Sequence, residues 1–322
     1  MTAPAVHAWM PRSPCDTGCL PKDPPTVGVA RRSLRWMGLV VAALAALVLS
    51  LAALSVPALR PCVQRWTVRG LLRCCCGVRL RVRGAPAWGV DGRAVLVVAR
   101  HVSWLDALAL PAVAPVSLVA RADLAGWPVL GAVARRGRTV FLDRSALRQL
   151  PDVVDQVAAA LDEGRSTAVF AEGTTWCGTA HGRFRPALLK AAVDAGVDVV
   201  PVVLRYTGDD GFPTAATAFV GEETFTDSLR RIVGLRGLEL ELTALPAEAP
   251  GSDRRELAAR CTAAVERAGA GSPPPLRVRV PEHQRSHHVS VSAPSTASRW
   301  LTVACSPRGS SARPSRPSSV AG

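Results

Sequence analysis

Between Gly77 and about Ala270, short β-branched runs alternate with stretches of helical period, and that alternation leaves few folds open to the chain. The runs are Val78–Val82, Ala94–Ala99, Val116–Ala120, Thr139–Leu142, Ala168–Phe170, Val197–Leu204 and Leu238–Thr243. Helical patterns fall between them at Asp106–Val113, Arg148–Glu163, Arg185–Ala195 and Ser252–Ala268. Strands separated by helices of this length predict an α/β domain over 77–270, with a mostly parallel central sheet flanked by helices.

The flanking segments read differently. Trp36–Leu59 contains no charged residue and is nearly all Ala, Val and Leu. At about 1.5 Å per residue, a helix over 36–59 would exceed a hydrocarbon core of about 30 Å, which predicts an N-terminal transmembrane helix. The apolar core of a signal peptide is usually about 7–15 residues and lies nearer the terminus. Residues 1–30 are rich in Pro, Thr, Gly and Ser without a hydrophobic period, and 271–322 are rich in Arg, Ser and Pro; both read as disordered. On this reading, removing residues 1–60 releases the domain from the membrane without harming it.

Charge narrows the partners. The formal net charge is +14, from 39 basic against 25 acidic residues, and Lys22 and Lys190 are the only lysines. Arg31, Arg32 and Arg35 precede the apolar run; Arg60, Arg65, Arg69, Arg73, Arg79, Arg81 and Arg83 follow it. Basic residues on both sides of an apolar segment suit anionic lipid headgroups. One tyrosine and six phenylalanines offer little for stacking bases, which argues against nucleic acid as a partner. The nine cysteines form no framework: Cys74–Cys76 are consecutive, Cys15 and Cys19 sit in a Pro-rich stretch, and the others are isolated, so free thiols in a reducing cytoplasm are expected. No metal is expected: apart from His283, His287 and His288 in the Arg/Ser/Pro-rich tail, the histidines are isolated in the sequence.

The sharpest chemical feature is Arg100-His101-Val102-Ser103-Trp104-Leu105-Asp106, which follows an apolar strand and leads into a helical pattern. In α/β proteins, ligands bind outside the carboxyl ends of the strands. Five positions apart on one regular helix, His101 and Asp106 would lie well off a common face. They meet only if His101 lies in the turn before the helix and Asp106 in its first turn. The carboxylate can then hold one imidazole nitrogen and leave the other as a base. Three further strands end in comparable places: Thr139-Val140-Phe141-Leu142-Asp143-Arg144, Phe170-Ala171-Glu172-Gly173-Thr174-Thr175 and Val200-Pro201-Val202.

In order and spacing these four segments resemble the four sequence blocks of the glycerolipid acyltransferase family, which includes 1-acylglycerol-3-phosphate acyltransferase. The resemblance covers roughly residues 80–245. Three departures affect the blocks that frame the acceptor: Ala171 replaces a proline, Thr175 an arginine, and the glycine of the second block falls early, at Gly137, with Arg138 in its place. The resemblance implies that His101 and Asp106 are catalytic, and that Arg144, Glu172, Gly173, Thr174 and Pro201 contribute to substrate binding. It implies acyl-CoA or acyl carrier protein as donor, no cofactor, and 1-acyl-sn-glycerol-3-phosphate as acceptor. It places the enzyme at the cell membrane with its site facing the cytoplasm. The run Phe184-Arg185-Pro186-Ala187-Leu188-Leu189 after Glu-Gly-Thr-Thr looks more like the branch that acylates lyso-ornithine lipids. A non-catalytic lipid-binding scaffold is the reading of another class, and the presence of both His101 and Asp106 weighs against it.

Overall fold

The computed structural model describes residues 10–52, 60–84, 88, 93–143 and 146–270. The strands are β1 (Arg79–Arg83), β2 (Leu96–Ala99), β3 (Ser117–Arg121), β4 (Val140–Leu142), β5 (Thr167–Phe170), β6 (Val199–Thr207) and β7 (Glu239–Ala244). They form one sheet in the order β1-β7-β6-β2-β5-β3-β4. Every neighbouring pair is parallel except β6 with β7. The helices are α1 (Val29–Ala52), α2 (Arg60–Gly70), α3 (Trp104–Val113), α4 (Pro128–Arg136), α5 (Leu150–Asp162), α6 (Lys190–Ala195), α7 (Phe225–Gly234) and α8 (Arg254–Ala270).

The central strand β2 is apolar at every position because both faces of the sheet are covered there. In β2, Leu96 and Val98 join a core with α5, α6 and α8, while Val97 and Ala99 join the opposite core with α3 and Ile232 of α7. The expected strands therefore stand within a few residues of where their β-branched runs placed them. The helices α2, α4 and α7 were not foreseen.

Pro201 lies inside β6, a strand with neighbours on both sides, where a missing N–H should cost a ladder bond. Its position resolves the cost. The β6–β7 ladder ends at the pair Val202–Ala244, and Pro201 stands one step beyond, where its carbonyl accepts from Leu245 N at 2.9 Å. N–H and C=O of one strand residue point the same way. The absent donor thus faces the margin of β7, and pairing with β2 is untouched.

Two expectations for the N-terminal region change. Residues 10–30 are not without partners: Thr17–Cys19 form a 3₁₀ turn capped by Asp16, Val27 N donates to the Gly234 carbonyl at 2.8 Å, and Thr26 bridges Leu235. A Pro-rich segment of this kind shows no hydrophobic period because long-range backbone bonds, not an apolar face, hold it. The apolar helix also begins earlier than 36, so Arg31, Arg32 and Arg35 form its first turns. Arg35 is 6% exposed and donates to the carbonyls of Val233 (2.8 Å) and Leu235 (2.7 Å). Gly77, at φ +69°, lies where a Cβ would collide with that guanidinium. Among the described residues, no helix is long and apolar enough to cross a membrane. The uncharged part of α1, Trp36–Ala52, covers only about 25 Å at about 1.5 Å per residue, and residues 53–59 of the expected span lie outside the described residues, as do 1–9 and 271–322.

Candidate active site

The carboxyl ends of the parallel strands β2 and β5 lie side by side, and the segments leaving them lock together. Beyond β2, the chain turns through Arg100-His101-Val102 into α3, whose N-cap is Ser103. Ser103 Oγ accepts from Leu105 N, and the Asp106 carboxylate reaches back to Ser103 N at 2.8 Å, a capping box that fixes the first turn. A carboxylate there is also favoured by the partial positive charge of the helix N-terminus. The same Oδ2 accepts from Val102 N at 2.7 Å and lies 3.0 Å from His101 Nδ1. The His-x4-Asp spacing closes because one residue sits in the turn and the other in the helix.

Asp106 is completely buried, and its second oxygen, Oδ1, accepts from the Tyr206 hydroxyl at 2.5 Å. Tyr206 is the chain's sole tyrosine. It follows Val202 and Leu204 on the buried side of β6, so the phenol arrives from the sheet beneath α3. Burial, then the neighbouring Asp106 charge, pushes its ionisation well above 10. The phenol therefore remains a donor. The sequence held a signal for it: a buried tyrosine needs a polar partner for its hydroxyl.

The loop after β5 grips His101 from the other side. The imidazole stacks on Phe170, with ring centroids 3.9 Å apart and planes at 10°. His101 N donates to Glu172 Oε2 at 3.0 Å, and its carbonyl accepts from Trp176 N at 2.8 Å. Glu172 Oε1 accepts from Gly182 N at 2.8 Å. Glu172 is buried, with Arg100 Nε at 4.0 Å, and burial pushes its carboxyl up to about 7 although both backbone donors and Arg100 oppose this. Its oxygens are thus taken by His101 and Gly182. Gly173, at φ +77°, faces Pro11 and Arg185 so closely that a Cβ would lie 2.7 Å from the proline Cγ.

Two further residues of the expected site, Thr174 and Pro201, lie on these segments. Thr174 lies in the bend after Gly173, and Pro201 is buried in β6. Arg144 lies outside the described residues; β4, which precedes it, ends at Leu142. β4 stands three strands from β2, or about 14 Å at about 4.8 Å per spacing. The arrangement offers an oriented imidazole with Nδ1 occupied and Nε2 left to accept a proton, which is the equipment of general-base catalysis.

Comparison with known proteins identifies the family and the fold. The sequence profile of the family described as acyltransferase matches residues 79–205, from β1 into β6. A lyso-ornithine lipid O-acyltransferase of Pseudomonas aeruginosa is 35% identical over 260 residues, covering 77% of this chain and 96% of that protein. The chain belongs to the acyltransferase family. A 1-acyl-sn-glycerol-3-phosphate acyltransferase of Neisseria gonorrhoeae is 37% identical over 150 residues, 46% of this chain and 58% of that protein. The fold is shared with the crystal structure of the 1-acyl-sn-glycerophosphate acyltransferase PlsC from Thermotoga maritima, at a TM-score of 0.55 and 18% identity, covering 76% of this chain and 98% of that one. In this chain the His-x4-Asp turn and the Glu-Gly loop are the two segments that the fold draws together.

Proposed function

We propose that this acyltransferase moves a fatty-acyl group from the thioester of acyl-CoA or acyl carrier protein to the free hydroxyl of a lysolipid at a membrane surface. The observation that carries the reading is the buried Asp106 holding His101 Nδ1. Nε2 removes the hydroxyl proton as the acceptor oxygen attacks the thioester carbonyl. Collapse of the tetrahedral intermediate breaks the C–S bond, and the imidazolium returns its proton to the departing thiolate. Asp106 fixes the tautomer and stabilises the imidazolium. Proton transfer of this kind typically contributes about 10²–10⁴-fold, so His101→Ala should lower kcat by at least about a hundredfold while the protein still folds. A loss under about tenfold, worth about 1.4 kcal/mol, would remove His101 from the role of base.

For the acceptor, the sequence blocks favour 1-acyl-sn-glycerol-3-phosphate, with Arg144 binding the phosphate through two oxygens and Gly173 and Thr174 lining the headgroup. A second reading, a lyso-ornithine lipid, is favoured by near full-length similarity to the Pseudomonas protein of that name. Acyl transfer to each lysolipid in parallel, with product identified by mass spectrometry, separates them. Attachment to the membrane is supported by α1, where Met37, Val40, Val41, Leu44 and Val48 are exposed by about 60% each, beside the arginines of its first turns. On this reading the site faces the cytoplasmic leaflet, where the donor is.

A further inference from the structure

Cys15 and Cys19 belong to the N-terminal segment, and Cys177 belongs to the loop that follows Glu172, 162 positions from Cys15. The fold brings their three sulfurs together: all lie within 4.8 Å of one another, with Cys15 and Cys177 buried and Cys19 half-buried. In a tetrahedral zinc site the metal–sulfur distance is about 2.3 Å, which puts neighbouring sulfurs about 3.8 Å apart. The cluster stands within about 1 Å of that spacing.

The surroundings are those of a ligand set. Cys177 N donates to Cys15 Sγ at 3.4 Å, and Thr179 Oγ1 lies 3.0 Å from Cys177 Sγ, so two of the sulfurs already have the polar neighbours that orient metal ligands. The 3₁₀ turn Thr17–Cys19, with Cys19 N on the Asp16 carbonyl, sets the direction of the third. A disulfide would consume two thiols and leave the third beside it. A soft divalent cation uses all three.

We propose that Cys15, Cys19 and Cys177 bind one zinc ion, with a water in the fourth position, and that this ion pins the N-terminal segment to the active-site loop. The segment has reason to be pinned. Pro11 packs on Gly173, and Asp16 passes within 3.4 Å of where a Cβ on Gly221 would stand. Cys177 directly follows Trp176, whose N–H holds the His101 carbonyl. The ion thus fastens a strap whose other contacts frame the site.

The test uses the full chain, purified in reducing, chelator-free buffer, and measures zinc by mass spectrometry of the metal. About one zinc per chain is expected, falling below about a tenth in Cys15→Ser, Cys19→Ser and Cys177→Ser and unchanged in Cys261→Ser, which alters a buried thiol of α8 itself. Cobalt in place of zinc should give a thiolate-to-metal charge-transfer band that the same three variants lose. In case a serine variant fails to fold, wild type is also treated with a chelator: trypsin should then cut faster at Arg12 and Lys22, which bracket the turn, while the far-ultraviolet spectrum is retained. A reduced wild-type protein that carries no zinc and binds none when zinc is added would overturn the proposal. So would zinc that survives all three serine changes, or a Cys15–Cys177 disulfide found in the purified chain.

Discussion

Asp106 accepts from two backbone N–H groups and a phenol and holds an imidazole besides, so each donor removed leaves a fully buried carboxylate with one bond fewer. Tyr206→Phe removes the donor that no backbone group can replace. An unsatisfied buried acceptor costs about 1–3 kcal/mol, and the loss should appear both in denaturant unfolding and as roughly tenfold lower kcat, with KM for the donor little changed. Because Tyr206 is the only tyrosine, its ionisation can be followed directly: tyrosinate absorbance should stay absent as pH rises past 10 and emerge only with unfolding. Absorbance that grows near 10 in the folded protein would show the phenol to be solvated. Glu172 gives a second handle. Its carboxyl titrates at about 7 in the fold against 4.5 ordinarily, so between those values the folded chain keeps a proton that the unfolded chain has released. Stability from this group is full below about 4.5 and is lost as pH rises through about 7, by up to about 3 kcal/mol. Denaturant unfolding at pH 5 and pH 8 should show a smaller decline in Glu172→Gln, whose amide does not titrate; an equal decline in both proteins would assign the pH dependence to other groups.

Between residues and the whole stand the elements, and α1 shows how far a local reading reaches. The apolar stretch that suggested a free-standing span is continued, at its N-terminal end, by a helix turn built into the domain through Arg35. Arg35→Met keeps much of the side chain's volume but abandons the Val233 and Leu235 carbonyls. Hydrogen bonds to charged groups contribute about 1.5–3 kcal/mol each, so the domain should unfold at clearly lower denaturant. An unchanged midpoint would mean that α1 is merely appended. By the same logic, removing residues 1–60 should destabilise the domain, contrary to what the sequence alone suggested. The central strands were readable because β-branched runs buried on both faces need no partner to be recognised, and the His-x4-Asp turn because its spacing admits one geometry. α7 was not, since Phe225–Gly234 is short and mostly polar; nor was the strap at 10–28, whose bonds to Gly234 and Cys177 join positions far apart in the chain. Glu172 was expected at the site from the resemblance alone; its grip on the backbone of His101 depends on the parallel alignment of β2 with β5, which no local pattern encodes.

At the scale of the whole molecule, an acyltransferase with lipid acceptors must meet a surface, and two forces can bring it there. One is the net charge of +14, acting on anionic headgroups at about 1 kcal/mol per arginine near the surface. The other is the exposed apolar side of α1, where Val40 and Leu44 stand 60% and 59% exposed. Each buried methylene there contributes about 0.8 kcal/mol. Salt separates them, because screening shortens the electrostatic range from about 10 Å at 0.1 M to about 3 Å at 1 M and leaves apolar burial intact. Sedimentation with vesicles rich in phosphatidylglycerol should therefore show strong binding of wild type at low salt and weaker but persistent binding at 1 M. The double substitution Val40→Asp, Leu44→Asp should bind at low salt through its arginines alone and come off entirely at 1 M. Wild type released completely by salt would leave α1 no part in attachment, and a double variant that stays bound at 1 M would place the apolar contact on another element.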